Sequence, residues 1–295
     1  MTTLSGSVGT GRLNQPADVT RVQDLLANHT HWLAPIPLTP ADGHCGPDTI
    51  EAIKRFQETA AALEKGKVDG VVTPSGFTLK RLEIGYIPKP KHRVFDNVCW
   101  AHAANELTLT LLQAAAKTLA LESEAIEAVV EQEVAIRGPW DEFGRPTILY
   151  ERHLFRHFTK KKWNLTHPDI SGPQGGYGRY SAQYPKLYRA ATLDEPAALK
   201  SASWGAFQIL GENFADCGYT SVETFVDAML ANETNQLNAF VAFVNKNSTL
   251  KKALKDKDWT TFARIYNGPD YQKNHYDTNI SNIYNNLINA KGVRK

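Results

Sequence analysis

Cysteine is scarce in this chain of 295 residues, and its distribution excludes a whole class of site. The three cysteines, Cys45, Cys99 and Cys217, lie far apart, are odd in number and form no C-x-x-C pair. Zinc and redox sites built on cysteine depend on closely spaced pairs. We therefore interpret the three as free thiols.

Metal-ligand and nucleophile motifs are lacking as well. His153, His157, His167 and Asp169 fall in one segment, but no H-E-x-x-H or comparable spacing connects them. No G-x-S-x-G elbow is present that would favour Ser-His-Asp catalysis. We expect a site without metal and without cofactor.

Long apolar runs and strong charge are also missing. No run of about 18 apolar residues could span a membrane, and the start M-T-T-L-S-G-S-V-G-T lacks the regions of a signal peptide. The net charge of +2 is too weak to indicate nucleic-acid binding, and we interpret the run Lys160 to Lys162 as a solvated loop. We expect a monomer, made in the cytosol, that neither binds nucleic acid nor inserts into a membrane.

An internal echo is the main feature of the first part of the chain. The segments 42–49 (D-G-H-C-G-P-D-T) and 69–75 (D-G-V-V-T-P-S) are Asp-Gly turns followed by a proline that suits a helix's first turn. An amphipathic segment, D-V-T-R-V-Q-D-L-L, precedes both. The pattern predicts three short helices with a shared core. The residues expected to pack are Val19, Val22, Leu25 and Leu26, then Ile50, Ile53 and Phe56, then Phe77, Leu79 and Leu82.

These segments, in this order, resemble the three-helix peptidoglycan-binding domain over roughly residues 16 to 83, although the Pro-rich loop at 31–41 is longer than usual. The resemblance implies a wall-binding domain over residues 1–84 that does no chemistry itself, followed by a linker over 85–96. A helical domain that only packs on its neighbour is the alternative. The residues assigned to the wall-binding module are Asp42, Gly43, Gly46, Phe56, Gln57, Asp69 and Gly70.

The second domain, expected over residues 97–295, places a glutamate on the apolar face of a helix. In S-E-A-I-E-A-V-V-E-Q-E-V, beginning at Ser123, Glu133 falls seven positions after Ile126 and so shares its face. A carboxyl group held against apolar side chains has a raised pKa and remains a proton donor near neutral pH, as the general acid of a glycosidase must. A helix-end glutamate that reaches water or meets an arginine is the alternative.

Glu151 is the candidate for the second carboxylate that cleavage of a glycosidic bond generally uses. It ends the predicted strand T-I-L-Y-E, which follows a helix break rich in glycine and proline. The alternative is an ion pair of Glu151 with Arg145 or Arg152. We expect Asp141 and Glu142, within the break, to be solvated.

Two further segments fit sugar binding. S-A-S-W-G-A-F-Q-I combines small residues, an apolar ring and an amide, a mixture that suits pyranose rings. It resembles the S-x-G-x-x-Q-I motif of goose-type lysozymes and lytic transglycosylases, and Y-N-G at 266–268 resembles their Y-N motif. Core packing is the alternative for the two aromatic residues among the candidates. The substrate-binding candidates are Ser203, Trp204, Gln208, Tyr266 and Asn267.

From about residue 107 to 288 the chain closely resembles the muramidase domain of modular phage endolysins. Five motifs follow the family's order: A-I-E-A-V-V-E-Q-E, G-R-P-T-I-L-Y-E-R-H-L-F, H-P-D-I-S, A-L-K-S-A-S-W-G-A-F-Q-I-L-G and R-I-Y-N-G-P-D-Y. The resemblance implies that Glu133 is the family's catalytic glutamate and that Glu151 is the glutamate of its strand. The turn after Glu133 departs from the family pattern, which leaves Glu131 open as the acid.

The resemblance implies a mainly α fold, in which a small three-helix wall-binding domain joins a larger lysozyme-like helical domain with a short β-hairpin. It implies hydrolysis of the β-1,4 link from N-acetylmuramic acid to N-acetylglucosamine in bacterial peptidoglycan, by an endolysin that reaches the wall through holin pores. A lytic transglycosylase with 1,6-anhydro products and an inactive wall-binding or phage structural protein stay open. The alternative role is an antibacterial effector delivered by a secretion system.

Overall fold

The computed structural model describes residues 3–33, 36, 41–61, 63, 65–85, 87, 89–96, 107–141 and 143–293. The predictions for Cys99 and for Glu142 lie outside these residues. The fold is mainly α, as predicted. The helices are α1 (Pro16–Ala27), α2 (Thr30–Leu33), α3 (Pro47–Glu58), α4 (Phe77–Leu82), α5 (Leu109–Leu119), α6 (Ser123–Arg137), α7 (Arg152–Phe158), α8 (Gln183–Ala191), α9 (Glu195–Lys200), α10 (Val222–Ala231), α11 (Glu233–Lys246), α12 (Ser248–Asp256), α13 (Trp259–Tyr266) and α14 (Tyr276–Val293).

The strands are short and belong to two small sheets. They are β1 (Val8–Gly9), β2 (Val71–Val72), β3 (Ile148–Tyr150), β4 (Ala202–Trp204) and β5 (Ile209–Leu210). Strand β1 pairs antiparallel with β2, and the other three form a sheet in the order β3-β4-β5. None of the helices within the described ranges has the length and apolar character to cross a bilayer.

Backbone contacts divide the chain into two compact units. Unit 1 comprises Met1–Asn97 and Tyr150–Ser201, and unit 2 comprises Val98–Leu149 and Ala202–Lys295. The predicted first domain falls within unit 1, whereas residues of the predicted second domain occur in both. Because packing contacts need not follow the limits of a domain family, the boundaries at 84 and 97 stay a prediction.

The three helices predicted at the start of the chain are α1, α3 and α4. Helices α1 and α3 each begin with proline, whose fixed φ suits a first turn. Their apolar faces are buried: Val19, Val22 and Ile53 have no exposed surface. The third helix differs from the prediction, since it begins after Gly76 and leaves the Phe77 side chain 43% exposed.

The sequence echo is also a repeated hydrogen-bond network, and its first copy is centred on Gln23. The Gln23 amide Nε2 donates to Asp42 Oδ1 at 2.9 Å and to Thr49 Oγ1 at 3.2 Å. The backbone N–H of Gly43 donates to Gln23 Oε1 at 3.0 Å. One buried glutamine on α1 thereby fastens the first Asp-Gly turn to the start of α3.

Gln57 makes the same bonds in the second copy. Its Nε2 donates to Asp69 Oδ1 at 2.8 Å and to Thr78 Oγ1 at 3.2 Å, and the Gly70 N–H donates to its Oε1 at 2.9 Å. A glycine suits the turn because Gly70 has a φ of +68°.

Most residues assigned to the wall-binding module therefore stabilise its fold. Phe56 and Gln57 are buried, so neither side chain can contact a polymer outside the molecule, and Gly46 is the N-cap residue of α3. Asp42, Gly43, Asp69 and Gly70 shape the two turns.

In unit 2, α6 packs against α5 and α14. Its N-cap residue is Glu122, so the helix begins at Ser123, where the apolar pattern of the sequence also starts. Ile126 and Val129 have no exposed surface, which confirms the apolar stripe read from the sequence. The helix ends at Gly138, whose φ of +72° cannot continue a right-handed helix.

The predicted β-hairpin is present as β4 and β5, with Ser203 opposite Leu210 and Trp204 opposite Ile209. The predicted strand T-I-L-Y-E appears as β3, which extends the hairpin to three strands.

Candidate active site

Glu133 lies on the buried face of α6 and is only 7% exposed. Removal from water disfavours the charged carboxylate, and this burial raises the pKa of Glu133 from its ordinary 4.5 to about 7. A hydrogen bond from the Tyr276 hydroxyl to Oε1 opposes the shift because it stabilises the charged form. The group is thus a carboxylic acid near its midpoint at neutral pH.

Two tyrosines surround this carboxyl group. Tyr276 opens α14 and is buried, and Tyr266 ends α13. Burial, together with the charge of Glu133, raises the pKa of both phenols well above the usual value. The Tyr266 hydroxyl donates to the carbonyl oxygen of Phe207 at 2.5 Å, so the cluster is joined to the turn between β4 and β5.

That turn is fixed by close approach of Gln236. Gly205 has a φ of +71°, and a Cβ placed on it would lie 2.6 Å from Gln236 Oε1. The same oxygen accepts from the N–H of Ala206 at 2.7 Å, while Gln236 Nε2 donates to Met229 O at 2.9 Å. The absence of a side chain at Gly205 lets the buried amide of Gln236, on α11, approach the turn.

Gln208, a substrate-binding candidate, is committed to the turn itself. Its Nε2 donates to Gly205 O at 2.8 Å and to Thr147 O at 3.1 Å. Its Oε1 accepts from Ser203 Oγ at 3.3 Å. Ser203 and Gln208 are thus held in place by each other and by backbone carbonyls of the turn and of the neighbouring strand segment.

We expected the ring of Trp204 to contact a ligand, and the structure contradicts this. Its side chain is 0% exposed, and a ring enclosed on all sides packs in the core. Asn267, by contrast, is exposed and directly follows α13. The candidates therefore differ in access: Asn267 is open to solvent and Tyr266 half-buried, whereas Trp204 is enclosed.

Glu131, the alternative acid, points away from this cluster. It is exposed, and it lines a cavity of about 390 Å³ together with Glu127, Glu233 and the apolar side chains of Val130 and Val134. Glu133 is absent from the lining of that cavity. Glu131 and Glu133 thus occupy different surroundings, since Glu133 is buried and Glu131 is exposed to solvent.

In unit 1, Glu151 is the N-cap residue of α7 and follows β3 directly. Its Oε2 lies 3.1 Å from His153 Nδ1, an ion-pair distance at which the two atoms are not aligned as a hydrogen bond. Burial raises the pKa of Glu151, against a hydrogen bond from Tyr177 and the influence of His153. Arg152, expected as an alternative partner, donates instead to Pro173 O at 2.8 Å.

Arg145, the other expected partner of Glu151, pairs with Asp141 in unit 2, with Nη2 and Oδ2 2.7 Å apart. Asp141 is therefore paired rather than simply solvated. Among the residues described, no three His, Cys, Asp or Glu side chains group as metal ligands would.

Sequence reasoning missed three residues of these clusters: Tyr276, Gln236 and His153. Tyr276 is 143 positions from the carboxyl group it contacts, and periodicity alone does not connect them. His153 had a usable signal, because it stands two positions after Glu151. Gln236 had none that we recognise.

Comparison with known proteins identifies the family of this chain. A family model described as N-acetylmuramidase matches residues 122–288. A solved structure described as the crystal structure of Burkholderia AP3 phage endolysin is similar, with a TM-score of 0.60 and 31% sequence identity. The similarity covers 97% of this chain and 99% of that one. No curated protein matches.

Proposed function

Since this chain belongs to the N-acetylmuramidase family, we propose that it hydrolyses the β-1,4 link between N-acetylmuramic acid and N-acetylglucosamine in peptidoglycan, with Glu133 as general acid. The observation that carries the proposal is the burial of the Glu133 carboxyl group, which accepts a hydrogen bond from Tyr276. Its pKa of about 7 leaves a large protonated fraction at neutral pH. An acid works best when its pKa lies near the working pH.

In the proposed reaction Glu133 gives its proton to the bridging oxygen as the glycosidic bond breaks. The departing sugar then leaves as a neutral alcohol, which is why proton donation accelerates the step. The Tyr276 hydroxyl positions the carboxyl group through Oε1 and limits how far its pKa rises. Tyr276 acts as a positioning residue in this scheme.

Glu151 is proposed as the second carboxylate. It activates water, or attacks the sugar as a nucleophile, and the separation of the two carboxyl groups decides between these routes. The contacts with His153 and Tyr177 support this role because both favour its charged form. Glycosidases use one carboxyl group as the acid and a second, in a different environment, as the base or nucleophile.

For substrate binding we propose Asn267 as a direct contact, since its amide is exposed beside the Glu133 cluster. Ser203, Gln208 and Tyr266 support the turn that borders this cluster through their hydrogen bonds. Trp204 packs in the core and supports strand β4, without contacting the substrate.

The proposed biological role is that of an endolysin acting on the bacterial cell wall. Similarity to the Burkholderia AP3 phage endolysin over nearly the whole of both chains supports this role. Residues 1–84 would hold the enzyme on the wall, and a tethered enzyme meets a raised local concentration of bonds. Release to the wall through holin pores is part of the same proposal.

The test is digestion of purified peptidoglycan by the wild type and by Glu133→Gln, Glu151→Gln and Glu131→Gln. Loss of a general acid costs roughly 10²- to 10⁴-fold in rate, so we expect that loss for Glu133→Gln. Glu131→Gln is the matched control on the same helix and should keep wild-type activity. Loss in Glu131→Gln with retention in Glu133→Gln would contradict the assignment.

Mass spectrometry of the same digests identifies the bond and the reaction. Reducing ends of N-acetylmuramic acid are expected. Products with 1,6-anhydro ends would instead identify a lytic transglycosylase. Retention on sedimented sacculi, measured for the inactive Glu133→Gln variant, tests wall binding separately, and a protein that stays in the supernatant would contradict it.

A further inference from the structure

Two largely buried arginines of unit 1 adjoin the ring of Phe77, one stacked over it and one a helical turn after it, and have fewer partners than their charge demands. Arg81, on α4, is 9% exposed, and the Arg189 side chain, on α8, is 16% exposed. The Nε atoms of both are buried and without a hydrogen-bond partner. Burying a guanidinium group is costly unless it is paired and hydrogen-bonded, so such unused donors call for an anion.

The partners of Arg81 are neutral. Its Nη2 donates to the carbonyl oxygen of Ala60 at 2.7 Å, and no carboxylate of the described residues forms an ion pair with it. Burial, and then the charge of Arg189, lowers the pKa of Arg81 to about 10, which leaves it charged at neutral pH. The positive charge of Arg189 therefore acts on a second positive charge, that of Arg81, which has no carboxylate partner among the described residues.

Among the residues that the structure describes, one acid forms an ion pair with Arg189 and none does so with Arg81. Asp169 pairs with Arg189 Nη2, and the Asp169 side chain is 49% exposed. His167, two positions earlier, has its pKa lowered by burial and by both arginines, which places it within their influence. The carboxylate of Asp169 therefore compensates the charge of Arg189, while Arg81 has a carbonyl oxygen and, within the described part of the chain, no carboxylate as its partner.

The surroundings leave access from solvent. The Arg189 guanidinium lies over the ring of Phe77, with its Cζ 5.7 Å from the ring centroid. Phe77 precedes Arg81 by one helical turn on α4, so the two side chains share a face, and Phe77 is 43% exposed. Stacking on a ring holds a guanidinium plane in a fixed orientation, suited to two-pronged bonds.

We propose that Arg81 and Arg189, with the ring of Phe77, form a binding site for an oxyanion, the carboxylate or phosphate group of a ligand. The planar guanidinium fork matches both groups, which accept two parallel N–H bonds. The inference is independent of the proposed hydrolysis, since it uses none of the carboxylates assigned to it.

Isothermal titration calorimetry of the full chain at low salt tests the site with two probes. One is inorganic phosphate, and the other is a soluble glycan-free stem peptide with free carboxylates. We expect saturable binding at one site for at least one probe. Tighter binding of phosphate indicates a phosphate-bearing ligand, and tighter binding of the peptide indicates a wall carboxylate. Binding of neither probe overturns the proposal.

Variants locate the binding. Arg189→Gln should weaken it by roughly tenfold or more, the loss expected for one charge-assisted hydrogen-bonded contact. Arg179→Gln is the control, because Arg179 is an exposed arginine of the same unit. Arg81→Lys keeps the charge but not the fork, so it should weaken binding while preserving the fold. Equal affinities in Arg189→Gln, Arg179→Gln and the wild type overturn the proposal.

Discussion

Replacing Glu133 with glutamine should stabilise the protein in alkaline solution and leave it almost unchanged in acid. In the folded state the pKa of Glu133 is about 7, against an ordinary value of 4.5. A carboxyl group with a raised pKa binds its proton more tightly when folded, so its contribution to stability falls as pH rises from 4.5 to about 7. At about 1.36 kcal/mol per pKa unit, the difference corresponds to about 3 kcal/mol.

Glutamine keeps an oxygen that can accept from Tyr276 but cannot ionise. The free energy of unfolding of Glu133→Gln should therefore exceed that of the wild type by about 3 kcal/mol at pH 8.5 and by little at pH 4. Urea denaturation followed by circular dichroism measures both values. Glu131→Gln, on the exposed face of the same helix, is the control for the substitution itself and should leave the free energy of unfolding nearly unchanged. A difference between Glu133→Gln and the wild type that is equal at both pH values would refute the reasoning.

Three further variants test individual hydrogen bonds and close contacts in the two units. Tyr276→Phe removes the bond that lowers the pKa of Glu133, so the alkaline limb of the kcat/KM profile should move up by roughly one to two pH units, and an unchanged limb would argue against this contact. Gly205→Ala should cost about 1–3 kcal/mol in the free energy of unfolding, because its φ is +71° and Gln236 Oε1 lies in the way. Gly218→Ala has a φ of +85° but no atom within 4 Å, so it should cost less, and equal costs would remove the steric argument. Gln57→Leu should lower the free energy of unfolding by about 2 kcal/mol or more, because it leaves the buried Gly70 N–H without an acceptor. Glu51→Ala, on the exposed face of α3, should be nearly neutral.

The sequence alone predicts much of the fold because local patterns decide it. The seven-residue step from Ile126 to Glu133 places the carboxyl group on the buried face of α6, since that face packs against neighbouring helices. The Asp-Gly turns are predictable because glycine at a positive φ, as at Gly70, is a local requirement.

What the sequence does not predict depends on residues distant along the chain. Tyr276 reaches Glu133 only through the packing of α14 on α6. Trp204 is enclosed because of its neighbours in space, which the motif around it does not specify. The pairing of β1 with β2 joins two-residue strands, too short to carry an alternating pattern.

The central claim is that Glu133 retains its proton near neutral pH, and a carboxyl-carbon NMR titration of protein labelled at glutamate tests it most directly. The resonance is assigned by its loss in Glu133→Gln. A midpoint near pH 7 is the expected result. A midpoint at the ordinary 4.5 would contradict the claim, and with it the assignment of Glu133 as the acid.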